Sequence, residues 1–370
     1  MISLNFNKNQ NKDYDKLLKF LTLVLVVLAT FLGGYIWNKR IADTQQASIL
    51  ENSLTTRFNG DITEKTASQL RLIKLTSEDS LFPILSENGK NVLYYVPSSG
   101  ELRSVSVDGS NSPQVISNTP TSANHVSWSG DRKKLFITVG KNSTFLNLET
   151  GASKKFSTGL ISPALSPFED KLAYLSFDED ENKGNIRVSD SQISSYKNLM
   201  QTRVSDWTIN WLGSTELYLT KRSGQDRRTH DVFILNTETA GLQNVLGIKK
   251  DLEFKWSKGG NKVLYSYYNI YDEVNNLYYQ NMNQRIETKI DFETTASKCA
   301  WGIDDKTIYC AKTGQFGGDT FYKINIETGE SENIYTPSVD IDVEGLMLTP
   351  TEDYLIFKNL NNNRLYSLEI

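Results

Sequence analysis

One short pattern recurs seven times along this chain of 370 residues, and few folds can accommodate it. It consists of an apolar residue, a small residue, a turn rich in Gly, Asp and Lys, and then an apolar run. The copies begin at Leu85-Ser86, Trp128-Ser129, Leu165-Ser166, Trp211-Leu212, Trp256-Ser257, Trp301-Gly302 and Leu348-Thr349. Measured at the second residue, the intervals are 43, 37, 46, 45, 45 and 47 residues. A fixed period of this size marks one supersecondary unit stacked on copies of itself, because a single unit cannot bury its own apolar face.

Each copy continues as an alternating strand that ends in a tight turn. Phe145 to Gly151, Val232 to Gly241 and Phe321 to Gly329 all read this way. Period-two alternation closed by a Gly turn specifies hairpin strands. Four short strands in a unit of about 40 to 45 residues is the arithmetic of a propeller blade. The expected fold class is therefore all-β, a seven-bladed β-propeller, with rings of six or eight blades as the alternative counts. The seventh unit reaches Ile370 with only three strands, and Leu70 to Leu75 is a spare alternating segment ahead of the first. Pairing the two would close the ring and remove its exposed edges.

The Trp-Ser-turn-Lys-Leu cadence at Trp128 to Phe136 and Trp256 to Tyr265, with Glu-Thr-Gly turns at 149–151 and 327–329, resembles the WD-like blades of TolB-type propellers. Similar blades occur in the propeller halves of prolyl-oligopeptidase-type peptidases. The resemblance covers about residues 70 to 370 and implies a blade, not an activity. A whole Ser-Pro-Asp-Gly motif is missing; only fragments remain, at Ser166-Pro167 and Ser129-Gly130-Asp131. TolB's own partners do not carry over.

Ahead of the repeats, Phe20 to Trp37 holds eighteen residues without a charge. With Leu17 and Leu18, and Lys19 snorkelling, it is long enough to span a hydrocarbon core of about 30 Å. The reading is an uncleaved signal anchor, a single transmembrane helix over 17–37, after a cytoplasmic tail over 1–16. Lys8, Lys12, Lys16 and Lys19 against Lys39 and Arg40 orient the N-terminus to the cytoplasm. Ile41, Ile49, Leu50, Leu54 and Phe58 continue at mostly helical spacing as a short helical stalk over 38–66, and the propeller occupies 67–370. Ala29 and Gly33, or Thr30 and Gly34, offer a weak route to a homodimer through the anchor. The expected location is the plasma (inner) membrane, single-pass, with the propeller extracytoplasmic in the cell envelope.

Composition narrows the function. Lys+Arg 40 against Asp+Glu 44, without a basic block, gives no nucleic-acid footprint. His125 and His230 are the only histidines, leaving little for His-based catalysis or transition-metal ligation. No Gly-x-Ser-x-Gly elbow is present, so a serine-peptidase reading lacks its nucleophile. Asp178 to Gly184 resembles a calcium loop, but its Gly falls one residue late and Ser189 stands where a bidentate acid is needed. No catalytic residue, metal or cofactor is expected. Trp128, Trp211, Trp256 and Trp301 read first as blade-to-blade packing and second as carbohydrate-stacking platforms. Cys299 and Cys310 fall opposite one another if the sixth blade's first hairpin turns at Asp304-Asp305, within disulfide reach.

Between the second and third strands of each unit, blades three to six carry the longer connections: Asp178 to Gly184, Arg222 to His230, Asn269 to Asn276 and Thr313 to Asp319. All emerge on one face of a propeller, and loops on a rigid scaffold carry function disproportionately. The candidate binding surface is Arg222, Arg227, Arg228, His230, Tyr268 and Tyr271, offered to an envelope protein or glycan. A propeller glycosidase or lyase with channel carboxylates, and a structural subunit of a membrane assembly, are the rival functions.

Overall fold

The computed structural model describes residues 71–156, 159–222, 229–271, 273–314 and 317–370. They form seven antiparallel four-stranded sheets, six with their strands in sequence order and the seventh completed at its outer edge by Leu72–Lys74; the fourth blade adds Lys249–Lys250, paired with its third strand. The innermost strands are Leu81–Leu85, His125–Trp128, Ile161–Leu165, Thr208–Trp211, Glu253–Trp256, Cys299–Trp301 and Val343–Leu348. The expected tail, anchor and stalk lie outside the described residues. Among those described, no helix is long and apolar enough to cross a membrane.

Local chemistry explains the repeat. Its small residue caps the first turn: the Ser129 hydroxyl accepts from Lys134 N at 2.9 Å and donates to Asp131 at 2.6 Å. Ser86 accepts from Asn91 N, Ser257 from Lys262 N and Thr349 from Tyr354 N in the same way. The third turn is built on an Asx oxygen. Asn147 Oδ1 accepts from Glu149 N and Thr150 N, and Asn325 repeats this with Glu327 N and Thr328 N. Gly151 and Gly329 follow at φ of 72° and 76°, the left-handed region that glycine enters without steric cost.

The apolar runs after each first turn are second strands buried on both faces. In Lys134–Val139, Leu135 and Ile137 pack toward the first blade while Phe136 packs toward the third. Buried apolar residues cluster seven times in this manner, one cluster for each junction between neighbouring blades.

The ring closes as expected, with the described part of the closing segment, 71–75, bonded to the last strand; Glu369 N donates to Arg71 O at 2.8 Å. Leu72–Lys74 pairs antiparallel with Arg364–Glu369, Leu72 opposite Leu368 and Lys74 opposite Tyr366. Leu75 N donates to Leu365 O at 2.8 Å, and Leu365 N donates to the Thr76 hydroxyl at 3.0 Å. Glu78 then reaches the first blade, accepting from Tyr94 OH and Arg103 Nη1, each at 2.7 Å.

The connections of the third and fifth blades differ from expectation. Their extra residues are mostly strand: Lys171–Asp178 pairs with Lys183–Asp190, and Lys262–Asn269 with Val274–Asn281, in unbroken register. The second strands of the first, second and seventh blades have 6 residues, whereas these have 8. The reason is a backbone that continues its ladder whenever the residues permit, which leaves a four-residue turn instead of a long loop. In the acidic turn Asp178 Oδ1 caps Asp180 N and Glu181 N, and Glu179 pairs with Lys141 of the second blade.

Candidate functional site

On the face bearing these hairpins, the fourth and fifth blades assemble a cationic and aromatic patch. Arg222 closes the fourth blade's second strand opposite His230, and His230 also stands opposite Lys249. Lys249 Nζ lies 4.4 Å from the Tyr267 ring centre, and Lys250 Nζ lies 5.4 Å from that of Tyr268. Among the described residues neither lysine has an ion-pair partner. Tyr267 stacks on Tyr278 at 5.1 Å, so the platform beneath the cations is braced from inside the blade. At the hairpin tip Tyr271 is 89% exposed and Ile270 61%, while Asn269 Oδ1 caps Tyr271 N at 2.9 Å. Arg227 and Arg228 lie outside the described residues. The sequence singled out His230, Tyr268 and Tyr271 but not Lys249 and Lys250, whose two-residue strand is too short to show a period.

The opposite face, which carries the first turns, holds a cavity of about 580 Å³ at the inner-strand ends of blades four to seven. Trp211, Phe254, Trp256 and Trp301 wall it, with Tyr218, Lys255, Lys258, Met347 and Pro350 among the remaining lining residues. The tryptophans hold the place in the repeat that the sequence assigned to packing, and each packs toward the preceding blade. Trp211 Nε1 donates to Ala164 O at 2.8 Å and Trp301 Nε1 to Lys255 O at 3.0 Å. Phe254, Trp256 and Trp301 remain only half-buried.

Lys255 stands alone in this cadence: the residue before the Trp is Ser127, Asn210 and Ala300 in the other blades. Its ammonium donates to Cys299 O and Leu346 O at 2.6 Å each and to Ser297 O at 3.3 Å, tying three inner-strand segments together. Burial pushes it down to about 8, with Glu253 opposing. Glu253 and Glu344 are the only carboxylates on the inner strands. Glu253 accepts from Ser297 N at 2.9 Å and Glu344 pairs with Lys358.

A crease of about 590 Å³ between blades three and four has mixed charge, with Asp170, Lys171, Asp190, Lys197 and Glu238 on its walls. Lys197 there already donates to Thr237 O and Glu238 O. In the sixth blade, Cys299 and Cys310 oppose each other in register with Cα atoms 4.1 Å apart and are joined as a disulfide, both fully buried. Lys298 bridges buried Asp319 at 2.7 Å and Asp342 at 2.8 Å. Among the described residues no group of three or more His, Cys, Asp or Glu is placed to hold a metal ion.

The chain is a seven-bladed β-propeller, and solved structures share that fold at low identity. Oligogalacturonate lyase from Vibrio parahaemolyticus is 11% identical, with 84% of this chain and 96% of that chain covered and a TM-score of 0.60. An oligogalacturonate lyase in complex with manganese is 10% identical over 84% and 96%, with a TM-score of 0.62. The Swd1 β-propeller domain of Myceliophteria thermophila is 10% identical over 81% and 99%, with a TM-score of 0.56. These likenesses are of fold alone. No family model and no curated protein matches the chain by sequence.

Proposed function

We propose that this chain is a single-pass envelope protein, anchored through residues 17–37 with its N-terminus cytoplasmic, whose extracytoplasmic propeller binds a partner protein and catalyses nothing. The observation that carries the reading is the patch on the hairpin face. A tip with Ile270 and Tyr271 exposed stands on a blade whose Tyr267 and Tyr268 carry Lys249 and Lys250. Exposed aromatic area beside cations that have no ion-pair partner among the described residues suits a protein surface presenting carboxylates, since aromatic anchors dominate binding energy and charges steer encounter. The Cys299–Cys310 disulfide supports an oxidising compartment, and so the extracytoplasmic placement.

A photo-crosslinking residue installed at Tyr271, and separately at Asn362 in the short seventh-blade turn, tests this in the native membrane. The expected result is one defined protein adduct from position 271, none from 362, and loss of that adduct when Lys250→Glu is added. Equal adducts from both positions would refute the hairpin face as the recognition surface. Reaction of Cys299 and Cys310 with a maleimide in unfolded, unreduced protein from the native host would refute the oxidising compartment.

A further inference from the structure

We infer that the cavity on the first-turn face is a binding site for an anionic saccharide, separate from the hairpin face. Its volume of about 580 Å³ falls within the range of small-molecule sites, roughly 300 to 1,000 Å³. Trp256 and Trp301 hold the same repeat position on successive blades, so the site offers two indole platforms one blade apart. Both are half-buried although a core indole has every reason to be covered, and the exposed ring surface is apolar area a ligand can remove from water. The C–H face of a sugar ring is amphipathic in the required sense: it covers the ring, and its hydroxyls keep contact with the polar rim.

Charge selects among saccharides. The chain carries a net −4, yet no Asp or Glu lines this cavity and two lysines do. Lys255 is committed to the carbonyls of Cys299 and Leu346 and supplies positive field from below. Lys258 at the rim is exposed and, among the described residues, has no ion-pair partner. Two carboxylates border the Gly302-Ile303 wall and both are engaged there: Glu352 accepts from Ile303 N at 2.8 Å and Tyr309 OH at 3.4 Å, and Asp304 accepts from Lys306 N at 2.9 Å and Thr307 N at 2.8 Å. A sugar ring bearing a carboxylate therefore matches both features at once, ring face to indole and carboxylate to Lys258.

The full chain in detergent, titrated with trimannuronate while tryptophan fluorescence and heat are recorded, tests the assignment. Mannotriose serves as the uncharged match and tri-aspartate as the charged non-sugar. Lys258→Glu reverses an exposed charge without touching the core, and Trp256→Phe forfeits no hydrogen bond, because Trp256 Nε1 has no partner among the described residues. Saturable binding of trimannuronate is expected, weakened about tenfold by Lys258→Glu and at least threefold by Trp256→Phe, and unchanged by Tyr271→Ala. No saturation at millimolar trimannuronate overturns the proposal. So does equal binding of mannotriose or tri-aspartate, or affinity indifferent to both cavity substitutions.

Discussion

Lys255 is the residue whose chemistry departs furthest from its sequence context. With its folded value near 8 and an ordinary value of 10.5, the unfolded chain holds a proton between those limits that the folded chain has shed. Stability therefore rises with pH across that window wherever this lysine dominates. Tyr218 and Tyr309, each pushed up to about 12 by burial, with Glu352 adding at Tyr309, act oppositely above pH 10, because there the unfolded chain loses protons first. The clean comparison lies between pH 8 and 9.5: urea midpoints should climb in the wild type and stay flat in Lys255→Met. A parallel climb in the variant would assign the effect to another group. The buried disulfide makes a second residue-scale expectation. It joins positions 11 apart, and closing so short a loop is worth about 2 to 3 kcal/mol in the chain-entropy account. Cys299→Ala with Cys310→Ala should lower urea stability by about that amount, and an unchanged midpoint would mean that the bond adds nothing beyond packing.

At the scale of elements, the closing strand is short but heavily tied. Leu72–Lys74 pairs with the last strand, and Glu78 fastens the following segment to the first blade. A chain beginning at Glu78 should melt well below one beginning at Asn59; identical melting temperatures would show that the ring holds without its fourth seventh-blade strand. Burial alone would raise the Glu78 carboxyl, but hydrogen bonds from Tyr94 and Ser77, with the Arg103 guanidinium, outweigh it and hold it below 4.5. The contribution is thus present above pH 4.5 and lost as pH falls through the folded value, and Glu78→Gln should flatten the acid limb of the stability curve. The blade was legible in the sequence because its determinants are local: a Ser or Thr that caps a turn, an Asn that builds one, an apolar run buried twice. The third- and fifth-blade connections read as loops in the sequence because polar residues such as Asp178, Lys183, Asn275 and Asn276 extend a ladder without an apolar period. Lys249–Lys250, a strand of two residues, is too short to show any period.

Across the whole molecule, both candidate sites fall on blades four to seven, but on opposite faces of the disc. The cavity draws its walls from Trp211 to Pro350, segments that no local window joins, so the sequence could name the tryptophans and not their convergence. No residue belongs to both sites; Phe254 and Trp256 of the cavity and Tyr267 of the patch pack into one inter-blade core, but the charges that select each ligand, Lys258 and Lys250, are not part of it. The two sites should therefore act independently. Lys250→Glu should abolish the protein adduct formed from position 271 and leave trimannuronate affinity intact, while Lys258→Glu should do the reverse. The combined variant should show each loss at the size seen alone, within about 0.5 kcal/mol, the additivity of independent positions. Saccharide affinity that shifts by more than this when the hairpin tip is altered would reveal a coupled ring and refute the picture of a propeller holding two separate recognition faces.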